Sequence, residues 1–150
     1  MSHLKPQLPV VEPTYDPSRP FPDVQLLHKN AILNCPGMTM VALQVSFAPN
    51  GSTPPHSHAG AFLVAHVISG YLFNKMNDDP MTIHGPGDSF KENPGCRHSI
   101  NDNASATEPA TLVVTMIVET KVVEEVGIAG LVVIDEEYRA MVQERQSGKI

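Results

Sequence analysis

The sequence of 150 residues has no tryptophan, only two cysteines and no cluster of basic residues. Ten lysines and arginines stand against sixteen aspartates and glutamates, a formal net charge of −6 that would repel the phosphate backbone of a nucleic acid. Cys35 and Cys96 are too few for a disulfide framework and too isolated for a site of four thiolates. We therefore expect free thiols, a reducing compartment and no nucleic-acid partner.

Long apolar runs are missing as well. No stretch approaches the roughly 18 residues of a membrane span, and residues 1–10 lack the apolar core of a secretory signal. We expect a cytoplasmic protein without a membrane partner. A hydrophobic content of 41% with only 17% charged residues excludes a disordered chain, and the length is typical of one globular domain.

Prolines and glycines are plentiful and punctuate short apolar runs. Six of the fourteen prolines fall within the first 22 residues, which excludes a helix there and predicts an extended arm over 1–37. Apolar and polar residues alternate from Val41 to Phe47, the pattern of a half-buried strand. Further short strands are predicted at 62–68, 71–76, 81–84, 89–92, 97–100 and 112–120, each bounded by turn residues. The fold class is therefore all-β, a barrel or a sandwich.

The end of the chain differs in character. Residues 130–134 resemble a late strand, and Asp135 then offers an N-cap for a helix over 136–146. We divide the chain into the arm (1–37), the barrel (38–134) and a short C-terminal helix with its tail (135–150). Arm, late strand and helix exceed what one small barrel needs, and exposed sheet edges are usually paired or covered. We expect a homodimer.

Two histidines separated by one residue occur at the entrance to a predicted strand. Because side chains alternate along a strand, His56 and His58 project from the same face and can bind one ion. Forty residues after His58, the turn Pro94-Gly95 precedes a third histidine, His98, at the start of another strand. Three convergent histidines can form a metal site.

These residues resemble the two-motif signature of the cupin superfamily. The matching positions are Gly51, the pair His56 and His58, the hairpin glycine Gly70, Gly87-Asp88, Pro94-Gly95 and His98. The resemblance covers residues 38–118. It implies a jelly-roll β-barrel that holds a divalent metal inside through the three histidines.

The sequence departs from the family pattern at one ligand, because Leu63 stands where the family usually has a glutamate. Three neutral imidazoles would leave a divalent ion with its full +2 charge, so such a site attracts anionic or enolate oxygens. About three positions of an octahedral ion would stay open, enough for a bidentate substrate and O₂. We expect Fe(II), with Zn, Mn, Ni or Cu as alternatives.

Glu92 is the catalytic candidate, in the strand that precedes Pro94. It shares the parity of Phe90, so it could face the cavity as a general acid or base. The alternative, which the usual exposure of glutamate favours, is a place on the protein surface.

Three functions are compatible with these residues. The first is a metal-dependent oxidoreductase of dioxygenase type acting on a small, oxygenated, partly apolar molecule. The second uses the ion as a Lewis acid without redox chemistry, in an isomerase, decarboxylase or cyclase. The third is a cupin that binds a small molecule without catalysis, since a fold does not fix a function.

Overall fold

Two antiparallel β-sheets enclose the core in the computed structural model, which describes residues 4–147. The first sheet contains, in spatial order, β1 (Asp23–Ala31), β2 (Met38–Phe47), β10 (Ala110–Glu119), β5 (Phe62–Ser69) and β8 (Ser89–Glu92). The second contains β11 (Val133–Ile134), β4 (His56–Ser57), β9 (His98–Asn103), β6 (Leu72–Met76) and β7 (Thr82–His84), with β3 (Ser52–Thr53) also paired to β9. The predicted all-β barrel is confirmed.

The alternation that predicts strands also builds the core. On β10 every second side chain is buried, and these side chains lie opposite inward-facing residues of β2 and β5. One row across the first sheet runs from Val41 through Met116 to Leu63, all at most 2% exposed. Burial of side chains of this size stabilises a fold by about 2 kcal/mol each. The first sheet therefore presents a continuous apolar face to the inside of the barrel.

The segment predicted as an extended arm contains a strand, since Asp23–Ala31 pairs with β2 along nearly its whole length. Residues 1–3 of that prediction lie outside the described residues. All nine residues of β1 are exposed, and its outer edge pairs with no strand in residues 4–147. The homodimer expected from the sequence stays a prediction.

Arg19 fastens the arm ahead of β1 to the second sheet. Its guanidinium forms an ion pair with Asp102 on β9 (Nη1 to Oδ2, 3.0 Å) and donates to the carbonyls of Asn50 and Gly51. Ser52 donates a further hydrogen bond to Asp102, at 2.6 Å. These contacts hold the next arm residues, Phe21 and Pro22, against the interior of the barrel.

Two helices follow the barrel, where one was predicted. The expected helix is present as α2 (Glu136–Ser147), and residues 148–150 of the predicted tail lie outside the described residues. The helix α1 (Thr120–Val126) was missed because its valines favour a strand and continue the apolar pattern of β10. Burial of Val123 in the core explains why packing prevails over that preference. The predicted strand 130–134 is shorter, because Ala129–Leu131 forms a 3₁₀ turn.

No helix in residues 4–147 combines the length and apolar character needed to cross a membrane.

Replacing Arg19 with alanine should lower the free energy of unfolding by about 2 kcal/mol, because the buried Asp102 loses its cationic partner. Urea unfolding at pH 7 measures the change. Lys75→Ala is the matched control, since it removes the more exposed ion pair with Glu12 and should cost less than about 1 kcal/mol. Equal losses in the two variants would show that Arg19 does not anchor the arm.

Candidate metal centre

Three histidines from two neighbouring stretches of the barrel converge on one point. His56 on β4 lies directly opposite His98 on β9, and His58 follows two residues after His56. The ring centroid of His56 lies 4.8 Å from that of His58 and 5.2 Å from that of His98. One nitrogen from each ring lies within 4.8 Å of the others. The structure thus brings together the three residues that the sequence motif singled out.

Each of the three rings is fixed by a hydrogen bond from its outer nitrogen. The bonds run from His56 Nδ1 to Pro54 O (2.7 Å), from His58 Nδ1 to Leu131 O (3.0 Å) and from His98 Nε2 to Asn74 Oδ1. Carbonyl and amide oxygens only accept, so the outer nitrogens are the donors and carry the protons. In a neutral ring the opposite nitrogen then carries a lone pair. All three lone pairs are free to bind an ion.

Glu92 lies inside the barrel beside these rings. It is 3% exposed and sits opposite Leu63 in the pairing of β8 with β5. Because directly opposed side chains share one face of a sheet, the buried Leu63 fixes the inward direction of Glu92. The surface location that glutamate usually prefers is therefore wrong for this residue.

The Glu92 carboxylate faces two of the imidazole lone pairs. Its Oε2 lies 3.3 Å from His58 Nε2, and its Oε1 lies 3.4 Å from His98 Nδ1. Both His58 Nε2 and Glu92 Oε1 are buried without a hydrogen-bond partner in the part of the chain that the structure describes. Facing acceptors repel one another unless a proton or a metal ion lies between them.

Charge and burial set the protonation of this donor group. Burial, together with the neighbouring His98 and His58, lowers the pKa of His56 from 6.5 to about 3, so the ring is neutral at physiological pH. Burial alone would raise the pKa of Glu92. Where the inner nitrogens of His58 and His98 carry protons and no metal is bound, their hydrogen bonds and charges outweigh that effect and hold the pKa of Glu92 well below its ordinary value. The carboxylate is therefore ionised.

These donors fit a divalent metal ion. With metal–ligand bonds of about 2.1 Å, neighbouring ligands lie about 3.0 Å apart in an octahedron and about 3.4 Å apart in a tetrahedron. The 3.3 and 3.4 Å separations between Glu92 and the rings of His58 and His98 match such spacings, whereas the three imidazole nitrogens, within 4.8 Å of one another, would have to draw closer together around an ion. With Glu92 included, the net charge of an ion and its protein ligands would be about +1, whereas the motif without a glutamate suggested +2.

The donor group lines a cavity of about 570 Å³. Apart from the metal-site residues, the wall is largely aliphatic and aromatic. Its side chains come from the first sheet, from the arm and from the segment around β11. They include Phe21, Pro22, Leu43, Val45, Leu63, Ala65, Phe90, Leu112, Val114, Met116, Ile128 and Val132. No lysine or arginine of the described chain lines it.

The comparisons with known proteins agree with this arrangement. Residues 43–116 match the family profile of the cupin domain. The chain belongs to the cupin superfamily. None of the curated proteins compared matches the sequence. In this cupin the glutamate of the usual first motif is replaced by Leu63, and the carboxylate reaches the histidines from position 92 on the neighbouring strand.

Several solved structures share the fold at low sequence identity. A protein with a double-stranded β-helix domain from Klebsiella pneumoniae is 19% identical, with a TM-score of 0.54 over 69% of this chain and 88% of its own. A cupin domain from Bordetella pertussis is 20% identical, with a TM-score of 0.52 over 67% of this chain and 97% of its own. Oxalate oxidase in complex with glycolate is 20% identical, with a TM-score of 0.54 over 92% and 79%.

The metal-free protein should become less stable as the pH falls below 6.5. The unfolded chain takes up a proton at His56 near pH 6.5, whereas the folded chain resists protonation there down to about pH 3. Stability at this residue is therefore lost as the pH falls from 6.5 towards 3. The lowered pKa of Glu92 adds a loss in the same direction below its ordinary value of 4.5. Urea unfolding of chelator-treated protein between pH 7.5 and 4 measures the slope.

His56→Gln should flatten this dependence, whereas His28→Gln, at an exposed position on β1, should leave it unchanged. A slope that is the same in His56→Gln and in the wild type would show that His56 does not titrate abnormally.

Glu92→Gln should weaken binding of a divalent metal by about 10- to 100-fold, because the variant replaces an anionic donor with a neutral one of the same shape. Competition with a chromophoric chelator measures the affinity for Zn(II) or Co(II). Glu108→Gln, at an exposed position, is the control.

The double variant Leu63→Glu/Glu92→Leu moves the carboxylate back across the strand pair to the usual family position. It should recover metal affinity to within about tenfold of the wild type, since the two positions face each other directly. Full metal affinity in Glu92→Gln alone would exclude Glu92 as a ligand.

Proposed function

We propose that this cupin is a metal-dependent oxidoreductase of dioxygenase type that acts on a small, oxygenated and partly apolar molecule chelated to the metal. One observation supports the proposal above all. Three fixed imidazole lone pairs and an ionised carboxylate meet on the wall of an otherwise apolar cavity large enough for a small molecule.

The ion would be held by His56, His58, His98 and Glu92. When bound, it would polarise the oxygen atoms of a chelating substrate and, as Fe(II), would activate O₂ towards that substrate. The outer hydrogen bonds of the three rings keep the ligands in place before the metal arrives. Fe(II) is our first choice of metal, because histidine and carboxylate ligands with open positions are typical of non-haem iron oxygenases. The same donors also suit Zn, Mn, Ni and Cu.

The cavity wall supports a substrate with a single negative charge. The four ligands would leave a divalent ion with about +1, and no lysine or arginine of the described chain lines the cavity. A monoanionic chelate, such as an enolate or a singly ionised catechol, therefore neutralises the site. Its apolar body would pack against side chains such as Phe90 and Leu43 and displace water from the cavity.

The cupin fold itself is compatible with oxidase chemistry, since oxalate oxidase shares it. That likeness concerns the fold alone, so the substrate proposed here follows from the residues of this cavity.

A non-redox reaction is the second candidate, and one observation favours it. Glu92 is ionised, and its Oε1 has no hydrogen-bond partner in the described structure. Such a carboxylate can take a proton from a substrate carbon while the ion polarises the adjacent carbonyl. An isomerase, decarboxylase or cyclase would use the same four residues in this way.

Oxygen uptake separates the two candidates. We expect the Fe(II)-loaded protein to consume O₂ in step with loss of substrate when it is supplied with catechols, β-diketones and 2-keto acids in turn. An oxygen electrode and product analysis under air and under argon provide the measurement. His58→Gln and His98→Ala should each lower the rate by at least about 100-fold, whereas His66→Gln, at an exposed histidine of β5, should not change it.

Equal product formation under argon and under air would refute the dioxygenase and support the Lewis-acid reaction. Tight binding of these compounds with no turnover under either gas would instead support a cupin that binds ligands without catalysis.

A further inference from the structure

One pair of polar side chains in the cavity lies apart from the metal ligands. Besides the three histidines and Glu92, the only polar side chains among the described lining residues are those of Thr53 and Asn101. Every other lining residue is apolar. A group of this kind is where a small molecule gains orientation in an apolar cavity.

A β-bulge turns Asn101 towards the cavity. The register of β9 against β6 shifts between Lys75 and Met76, so that Lys75 lies opposite Ile100 and Met76 lies opposite His98. Ser99 is the extra residue of the bulge. An uninterrupted strand would place residues 98 and 101 on opposite faces. With one residue bulged out, both face inward.

The strand pairing places Asn101 in the row next to the metal site. His98 lies opposite His56, whereas Asn101 lies between Thr53 on β3 and Asn74 on β6. Asn74 is the residue that holds the outer nitrogen of His98. Neighbouring rows on one face of a sheet are about 7 Å apart, because each residue advances the strand by about 3.3 Å. A molecule chelated at the metal centre can therefore reach Asn101.

The acceptor of Asn101 is unused in the described structure. Its Nδ2 donates to Thr53 Oγ1 at 3.4 Å, whereas its Oδ1 is buried without a hydrogen-bond partner. A buried acceptor that lacks a donor costs free energy, and a ligand that supplies the donor recovers it. The unused atom thus selects for a ligand with an O–H or N–H at this place.

We propose that Asn101 is a specificity-determining residue that accepts a hydrogen bond from a hydroxyl or N–H at the end of the substrate away from the metal. The proposal rests on the proposed function, since it assumes that the other end of the substrate chelates the ion. The substrate class is then a small monoanionic chelator with an apolar body and a distal donor.

A matched pair of catechols tests the assignment. 4-(Hydroxymethyl)catechol and 4-methylcatechol chelate a metal identically and differ by one hydroxyl on the far side of the ring. The full-length protein is loaded with Co(II), whose visible absorption reports on the metal site, and each catechol is titrated under argon by calorimetry. We expect the wild type to bind the hydroxymethyl compound about tenfold more tightly, the value of one hydrogen bond to a buried acceptor.

Asn101→Leu should abolish or reverse this preference, because the hydroxyl then enters an apolar site without an acceptor. Asn101→Asp keeps an acceptor and should keep the preference, since the added charge affects both catechols alike. Gln44→Leu is the control. Gln44 lies on β2 between Leu43 and Val45, which line the cavity, so its amide points to the other face of the sheet. Unchanged Co(II) spectra show that each variant is folded with its metal site intact.

The outcomes separate this proposal from the proposed function. Equal binding of both catechols to the wild type, or a preference that survives in Asn101→Leu, overturns the assignment of Asn101 and leaves the chelating function standing. Failure of both catechols to bind the Co(II)-loaded wild type overturns the chelating function and this proposal with it.

Discussion

A buried carboxylate lies 3.3 and 3.4 Å from one nitrogen of each of two imidazole rings inside an apolar cavity, and this contact requires positive charge, supplied either by protons on the rings or by a metal ion. Protons on His58 and His98 would satisfy both contacts of Glu92 but would leave the lone pair of His56 without a partner. A divalent ion satisfies both and also the lone pair of His56, whose lowered pKa keeps it neutral. The rest of the cavity offers no cationic side chain, among the described residues, that could take this place.

The four donors belong to different parts of the barrel. His56 and His98 lie on the second sheet, Glu92 lies on the first, and His58 lies in the connection between β4 and β5. An ion bound by all four would therefore tie the two sheets together. Because the donors meet only in the folded chain, the free energy of metal binding would add to the stability of the fold.

The sequence is sufficient to predict the histidines, because their spacing within two short motifs carries the information. Most strand positions follow from the alternation of apolar residues, as on β2 and β10. Glu92 is different. Its parity with Phe90 suggests an inward side chain, but only its register opposite Leu63 decides the matter, and register between distant strands cannot be read from one sequence.

Two further features needed the structure for similar reasons. Helix α1 contains valines that favour a strand, and only the burial of Val123 against the barrel explains the helix. Asn101 has the wrong parity relative to His98 for a cavity residue until the bulge at Ser99 is known. In both cases packing or pairing with a distant segment overrides the local pattern.

The pairing of positions 63 and 92 accounts for a carboxylate beside the histidines in a chain that has leucine at the usual glutamate position. Directly opposed residues on antiparallel strands have Cβ atoms only about 5 Å apart, so either one can direct a carboxylate to the same region of the interior. Leucine at position 63 then fills the space next to Met116 and supports Glu92 from the opposite strand. A carboxylate thus lies beside the three histidines although the motif glutamate is absent. A search for metal ligands among divergent cupins should therefore examine residue pairs across strands as well as positions within a motif.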